Sequence, residues 1–152
     1  MKARYLYLIA LAVVLLDQAS KYAVIHRLPF GSVPVLDGIV YFTLVRNPGG
    51  AFGLFQSWAG MLTLVTIVVC AAIIVLVRRK VALPAIAGMA LALQLGGAVG
   101  NLIDRIRFHS VTDFIDLRVW PVFNVADSAI TVGIVLLAYY LIFSEKRREL
   151  KG

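Results

Sequence analysis

Four long apolar stretches are the feature of this sequence that most restricts its fold. They cover about residues 5–25, 58–77, 83–102 and 123–143. Each approaches the ~20 residues that a helix needs to cross ~30 Å of hydrocarbon. Of the 152 residues, 61% are hydrophobic, whereas an ordinary soluble domain is about 45–50% apolar even when glycine is counted. The sequence therefore predicts a mainly α membrane protein, with four transmembrane helices in a single polytopic domain over residues 1–152.

The net charge of +7 is best understood from the positions of the basic residues. Nine of the fifteen Lys and Arg residues lie before the first stretch, between the second and third, or after the fourth. If the four segments alternate in direction, all nine fall on one side of the membrane. The positive-inside rule then places both termini and the 78–82 connection in the cytoplasm. No basic patch interleaved with aromatic residues is present, so nucleic acid is not expected as a partner.

The first apolar stretch has a second interpretation. Lys2 and Arg4 followed by the apolar run 5–16 resemble the charged and hydrophobic regions of a cleavable signal peptide. No A-x-A cleavage site follows, because the next residues are Asp17-Gln-Ala-Ser-Lys21. We therefore expect this segment to remain as the first transmembrane helix.

The long connection over residues 26–57 predicts a small β-rich region between the first two helices. It contains many turn-forming Pro, Gly, Asp and Asn residues around the segment Ile39–Val45, which is rich in β-branched and aromatic side chains. We expect a sheet or hairpin on the extracytoplasmic membrane surface. Its interfacial anchors are predicted to be Phe52, Leu54, Phe55 and Trp58.

Polar residues that could perform chemistry collect on the side predicted to be extracytoplasmic. Asp17 lies ~18 Å along the first helix from Tyr5, in its outer half, and of the eight acids only Glu145 and Glu149 are predicted to be cytoplasmic. Charged groups near a bilayer are costly and are usually retained for function. The other polar residues of this side are Asn47, Asn101, Asp104, Arg105, Asp113, Asp116, Asn124 and Asp127.

The spacing of these residues places several of them on shared helix faces. The pairs are Asp17 with Lys21, Asn101 with Asp104 and with Arg105, and Asn124 with Asp127. An acid in a first helical turn, such as Asp127, is favoured in its ionised form by the helix dipole. A nearby Asp113 could then keep a proton through like-charge coupling.

Two acids that share a proton are able to activate water and to protonate a departing amine. Spacing alone leaves a second interpretation equally open, in which the acids form buried structural pairs with Lys21, Arg105 and Arg107.

Other chemistries have weaker support in the sequence. The histidines His26 and His109 lack the spacing of a zinc site, so no metal is expected. No serine occupies a nucleophile elbow. A transporter would be expected to carry acids through the whole membrane thickness, and a noncatalytic assembly factor would not explain the acid cluster. Gly96 and Gly100 form a small-xxx-small pattern that predicts close helix packing.

Five tracts together resemble the bacterial lipoprotein signal peptidase family, also called signal peptidase II. They are Asp17-Gln-Ala-Ser-Lys21, Asn47-Pro-Gly-Gly-Ala-Phe52, Gly96…Gly100-Asn-Leu-Ile-Asp-Arg105, Val111-Thr-Asp-Phe-Ile115 and Pro121-Val-Phe-Asn-Val-Ala-Asp127. Any one tract would be weak support. Their order, the chain length and the four spans make the resemblance specific over nearly the whole chain.

The resemblance implies an aspartic endopeptidase of the bacterial cytoplasmic (inner) membrane. Its substrates would be diacylglyceryl-modified prolipoproteins, cleaved before the lipidated lipobox cysteine near the outer leaflet. It implies Asp113 and Asp127 as the catalytic pair, no metal or organic cofactor, and inhibition by the cyclic peptide globomycin. A monomer in contact with membrane lipids is the expected state. The resemblance assigns substrate-binding or supporting roles to Asp17, Lys21, Asn47, Asn101, Asp104, Arg105 and Asn124.

The sequence departs from the family pattern in two places. Gly50 stands where Ala is expected, and the interval between Asp113 and Asp127 is short for the family. Asp116, three residues after Asp113, is a competing acid, although the motif favours Asp113.

Overall fold

The computed structural model describes residues 1–28, 31–48, 59–79 and 83–149. Within these ranges lie four helices that are long and apolar enough to cross a membrane. They are α1 (Ala3–Arg27), α2 (Ala59–Arg78), α3 (Ala85–Phe108) and α4 (Val125–Glu149). The predicted four-helix membrane architecture is confirmed.

Helix α3 is the centre of the bundle. In its apolar window 61% of the residues are buried, compared with 22% or fewer in each of the other three helices. It packs against α1, α2 and α4. The close approach to α1 depends on Gly96, where a Cβ atom would lie 2.7 Å from the carbonyl oxygen of Ala10. This contact bears out the close packing predicted from the glycine pattern.

Helices α3 and α4 both continue beyond their predicted spans, to Phe108 and Glu149, and the extension of α3 carries site residues. The apolar stretch was expected to end near residue 102, but the helix continues to Phe108 and ends where His109 adopts a left-handed conformation (φ 55°). Asp104 and Arg105 therefore lie on the last turns of α3. A buried acid such as Asp104 (1% exposed) stays in a helix when its charge is satisfied by neighbouring groups.

A three-stranded antiparallel sheet covers one end of the bundle, which we call the sheet end. Its strands, in the order β1–β2–β3, are β1 (Ser32–Leu36), β2 (Val40–Asn47) and β3 (Val111–Asp116). The predicted β-rich region between α1 and α2 is confirmed by β1 and β2. The third strand was not predicted, and it comes from the connection between α3 and α4. The predicted anchors Phe52, Leu54, Phe55 and Trp58 lie outside the described residues, as does the end of the predicted 78–82 turn.

The register of the sheet brings two distant parts of the sequence together. Val45 pairs with Asp113, and Asn47 pairs with Val111. Side chains two residues apart on a strand point to the same face, so the amide of Asn47 can reach the carboxylate of Asp113. The sheet thus joins the Asn47 tract to the Asp113 tract directly above the ends of α3 and α4.

Candidate active site

The predicted polar residues meet at the sheet end around a cavity of ≈ 270 Å³. Its polar lining consists of Asn47, Asn101, Arg105, Asp113 and Asp127, together with Thr131. Val122, Phe123 and Ile130 are among the residues that form the apolar part of the wall. The cavity therefore brings two carboxylates together among both polar and apolar side chains.

Asp113 projects from β3 and is 2% exposed. Two asparagine amides donate hydrogen bonds to it: Asn47 Nδ2 to Oδ2 at 2.8 Å and Asn124 Nδ2 to Oδ1 at 2.7 Å. The pKa of Asp113 is raised from 3.8 to about 6, with burial as the largest cause; the hydrogen bonds from Asn47 and Asn124 oppose this rise, and the nearby charge of Asp127 adds to it. Asp113 is therefore a carboxyl group that can gain or lose a proton near neutral pH.

Asp127 lies in the first turn of α4 and is partly exposed. It accepts hydrogen bonds from Asn101 Nδ2 at 2.7 Å and from the backbone N–H of Asn124 at 3.2 Å. The backbone N–H of Asp127 in turn donates to Asn124 Oδ1 at 2.8 Å. This reciprocal pair of bonds is a capping box, so the residues that start α4 also fix the orientation of the Asp127 carboxylate.

The orientation of the asparagine amides is set by their own partners. Asn101 Oδ1 accepts hydrogen bonds from Lys21 Nζ at 3.0 Å and from Asn124 Nδ2 at 3.1 Å. The nitrogen end of Asn101 must therefore face Asp127. Because an amide has distinct donor and acceptor ends, these bonds direct donors, and no acceptor, at the two carboxylates.

A second pair of acids lies behind this cavity and has different partners. Lys21 Nζ contacts Asp17 Oδ2 at 2.8 Å and Asp104 Oδ2 at 3.5 Å, and all three side chains are 3% exposed or less. Asp17 Oδ1 accepts from the N–H of Ala126 at 3.0 Å, and Asp104 Oδ2 accepts from the N–H of Thr112 at 2.8 Å. This buried cluster joins α1, α3, β3 and α4 next to the cavity and holds these four elements together.

The structural-pairing interpretation fits Asp17 and Asp104, which both pair with Lys21. Among the residues that the structure describes, neither Asp113 nor Asp127 forms a salt bridge. Arg105 lines the cavity and interacts electrostatically with both, while its guanidinium donates to Thr66 Oγ1 at 3.4 Å. Arg107 instead lies over the ring of Phe108, 4.9 Å from its centroid.

Asp116, the competing acid, does not line this cavity. It lies three residues beyond Asp113 on β3, and an odd spacing on a strand reverses the face. Its carboxylate accepts from Thr43 Oγ1 at 2.8 Å and from the backbone N–H of Arg118 at 2.8 Å. The Arg118 hydrogen bond is the largest cause that lowers the pKa of Asp116, followed by that from Thr43.

Two residues of this region were missed by the sequence analysis. Gln18 Nε2 lies 3.1 Å from Asp17 Oδ2, 3.1 Å from the Gly100 carbonyl and 3.2 Å from Asp104 Oδ1. Thr112 is fully buried, and its hydroxyl accepts from Arg46 Nη1 at 2.7 Å. A polar residue next to Asp17 in an apolar stretch was a signal for Gln18, whereas Thr112 has no local signal because its partners are distant in sequence.

The fold and the site define a multi-pass membrane protein that holds a pair of amide-bound carboxylates at one end of its helix bundle. The protein-family model described as signal peptidase (SPase) II matches residues 9–143. The chain belongs to the signal peptidase II family, a family of membrane peptidases.

Individual relatives agree with this assignment. The chain is 43% identical over 142 residues to a lipoprotein signal peptidase of Geobacillus kaustophilus, an alignment that covers 90% of this chain and 92% of that protein. It is 45% identical over 149 residues to a lipoprotein signal peptidase of Moorella thermoacetica, covering 93% and 97%. A solved structure described as a bacterial membrane enzyme superposes with a TM-score of 0.87 at 30% identity, covering 94% of this chain and 90% of that one.

Proposed function

We propose that this chain is an aspartic endopeptidase that removes the signal peptide from diacylglyceryl-modified prolipoproteins. It hydrolyses the peptide bond before the lipidated lipobox cysteine. The observation that supports this proposal most directly is the difference between the two acid pairs. Asp113 and Asp127 share a cavity and are bound by neutral amides, whereas Asp17 and Asp104 share a buried lysine.

The proposed reaction uses the two carboxyl groups together. One, ionised, removes a proton from a water molecule, and the water oxygen attacks the carbonyl carbon of the scissile bond. The other, protonated, donates to the oxygen that gains negative charge. The carboxyl group that took the proton from water then gives it to the amine nitrogen as the C–N bond breaks, and a hydroxyl of the intermediate returns its proton to the other carboxylate. Because coupled acids titrate as a unit, the resting proton is assigned to the pair and not to one residue. No metal or cofactor takes part in this scheme.

The asparagines and Arg105 have supporting roles in this scheme. Asn47 and Asn124 hold Asp113, and Asn101 holds Asp127. Arg105, which lines the same cavity, supplies a positive charge that offsets the negative charge of the tetrahedral intermediate. Lys21, Asp17 and Asp104 have an indirect role, because they hold Asn101 and the start of α4 in position.

The proposed orientation places the sheet end at the outer leaflet of the bacterial cytoplasmic membrane, with both termini in the cytoplasm. A diacylglyceryl group would hold the scissile bond at the level of the cavity, and substrate would arrive by lateral diffusion through the lipid. The 26–57 region would clamp the substrate over the acids. Globomycin would compete for the same cavity, and the enzyme would act as a monomer.

The substrate class is tested with purified protein in detergent. The expected result is cleavage of a diacylglyceryl-modified prolipoprotein, with mass spectrometry placing the new N-terminus at the lipidated cysteine. A matched precursor that lacks the lipid should be cleaved far more slowly, and globomycin should block cleavage. Cleavage at another bond, or no cleavage of the lipidated precursor, would contradict the proposal.

A further inference from the structure

The turn between β3 and α4 contains a residue with an unusual backbone conformation. Arg118 has a φ of 64°, which lies in the left-handed region that is uncommon for residues other than Gly, Asn, Asp and His. A strained residue of this kind persists only where its surroundings hold it in place. The proposed reaction does not use Arg118, so its conformation calls for another explanation.

Arg118 is held by one residue from each of two neighbouring strands. Its backbone N–H donates to Asp116 Oδ1 at 2.8 Å, and its guanidinium lies 3.6 Å from Asp116 Oδ2. The guanidinium carbon also lies 3.8 Å from the centre of the Tyr41 ring, where a cation is attracted to the aromatic face. Tyr41 in β2 is the register partner of Asp116 in β3, so both strands fix the conformation of the turn.

Hydrogen bonds extend this support across the sheet. Thr43 Oγ1 in β2 donates to Asp116 Oδ2 at 2.8 Å and lies 2.6 Å from Ser32 Oγ in β1. The hydroxyl oxygen of Tyr41 accepts from the N–H of Gly38, in the β1–β2 turn, at 3.2 Å. All three strands therefore contribute to holding the β3–α4 turn.

The turn places one large side chain at the rim of the acid cavity. Trp120 lines that cavity, yet it is 64% exposed. Val119, the residue before it, is 90% exposed and lies outside the cavity lining. An indole ring supplies a large and rigid contact area, and for this reason Trp is common among the residues that dominate binding energy. Trp120 is therefore a candidate for contact with the substrate.

We propose that Trp120 contacts the part of the prolipoprotein that follows the lipidated cysteine, and that Arg118 is a positioning residue that holds Trp120 there. This inference rests on the proposed function. The apolar signal segment must stay at the level of the transmembrane helices, whereas Trp120 lies in a turn at the sheet end. The substrate chain that leaves the acids toward this turn is therefore the part after the scissile bond.

The chemistry of an indole ring defines what Trp120 selects. Its face is flat and apolar, and it packs well against another aromatic side chain. We therefore expect a preference for an aromatic residue at one of the first few positions after the lipidated cysteine. Because such a contact is made equally in the bound substrate and in the transition state, it should change KM and leave kcat nearly unaltered.

The test compares lipidated prolipoproteins that carry phenylalanine or alanine at each of these positions in turn. For the unaltered enzyme we expect one position at which phenylalanine lowers KM by roughly two- to tenfold, the range for an aromatic pair. In Trp120→Ala this preference should disappear while the alanine substrate is still cleaved with a similar kcat. Val119→Ala, in the same turn but outside the cavity lining, is the matched control and should keep the preference.

Arg118→Gly tests the positioning role, because glycine adopts a positive φ without strain while the side-chain contacts with Asp116 and Tyr41 are lost. In a Trp58→Phe background Trp120 is the only tryptophan, so its fluorescence reports on the turn. We expect Arg118→Gly to lower the fluorescence anisotropy of Trp120 and to weaken the aromatic preference. Val119→Ala should change neither quantity.

Three results would overturn the inference. One is an aromatic preference that persists in Trp120→Ala, or a fall in activity on every substrate alike. Another is Trp120 fluorescence that brominated lipid quenches but that lipidated substrate, bound to the Asp113→Asn enzyme, does not change, since Trp120 is then a lipid anchor only. The third is unchanged anisotropy in Arg118→Gly, which removes the positioning role. If the unaltered enzyme cleaves no lipidated precursor, the proposed function itself fails.

Discussion

At the scale of single residues, the two pairs of acids differ in the kind of donor that faces them. A buried ammonium, as at Asp17 and Asp104, neutralises a carboxylate and so fixes its charge. A neutral amide binds a carboxylate without fixing its charge, since the amide carries none. Asp113, bound by two amides and with its pKa raised to about 6 by burial, is accordingly able to exchange a proton during a reaction.

Replacement of Asn47 tests this view of Asp113. Its hydrogen bond favours the ionised form and lowers the pKa of Asp113 against the larger effect of burial. Asn47→Ala removes that bond, so the pKa of Asp113 should rise above its present value of about 6. The limb of the pH dependence of kcat/KM that reports the acid pair should move to higher pH by roughly one unit, as expected for a charge-assisted hydrogen bond.

The control for this measurement is Leu44→Ala, which shortens an exposed side chain on the same strand β2 and should leave the pH dependence unchanged. A limb that stays in place in Asn47→Ala, or moves to lower pH, would contradict the account of how Asp113 is held.

At the scale of helices and strands, the pairs that lie within one helix turn were predictable from local spacing. Asp17 with Lys21, and Asn124 with Asp127, are neighbours on one helix turn, and the structure finds both pairs in contact. The end of α3 was placed too early because an apolar window stops at the first charge. The helix continues beyond it because Lys21 and the N–H of Thr112 satisfy Asp104.

The third strand could not be predicted in the same way. β3 pairs with β2, so that Asn47 lies opposite Val111, a residue far along the chain. Strand pairing depends on such distant partners more than on local propensity. The contact between Asn47 and Asp113, which brings two of the family tracts together, is therefore a result of the structure and not of the sequence pattern.

Gly100 provides a test of the buried cluster at this scale. A Cβ atom there would lie 2.6 Å from Asp17 Oδ2, the same oxygen that contacts Lys21 Nζ at 2.8 Å. Gly100→Ala should therefore displace the carboxylate and lower the free energy of unfolding by about 1–3 kcal/mol, as overpacking usually does. Denaturant unfolding in detergent, followed by the loss of helical circular dichroism, measures this change.

Gly60→Ala is the matched control, because a Cβ atom at Gly60 in α2 meets nothing within 4 Å. It should be neutral or stabilising by up to ~1 kcal/mol, from helix propensity. Equal stabilities of the two variants would show that the cluster accommodates a methyl group at Gly100, contrary to the packing described above.

At the scale of the whole molecule, most of the basic residues and the acid cavity lie at opposite ends of the helix bundle. The alternation of the four helices places the sheet, and with it the acid cavity, at the end remote from the start of α1 and from the α2–α3 connection. Nine of the fifteen Lys and Arg residues lie at the start of α1, around the α2–α3 connection, or at the end of α4 and beyond it. On the basis of the positive-inside rule, we propose that the site faces away from the cytoplasm.

Cysteine labelling tests this orientation directly. In a Cys70→Ala background, single cysteines replace Asp37, exposed in the β1–β2 turn, or Arg79, exposed beyond α2. A membrane-impermeant maleimide should label the Asp37→Cys protein in spheroplasts and the Arg79→Cys protein only after permeabilisation. The reverse labelling pattern would place the acid cavity on the cytoplasmic side and contradict the proposed route of the substrate.

We propose that Asp113 and Asp127 act as a pair and that the other acids do not react. The most direct measurement is the rate of cleavage of a lipidated prolipoprotein by Asp113→Asn, Asp127→Asn and Asp116→Asn, each shown to be folded. We predict that the first two lose activity by at least ~10²-fold, the lower range for general acid–base groups, and that Asp116→Asn stays close to the unaltered enzyme. Substantial cleavage by either of the first two, or its loss in Asp116→Asn alone, would contradict the account.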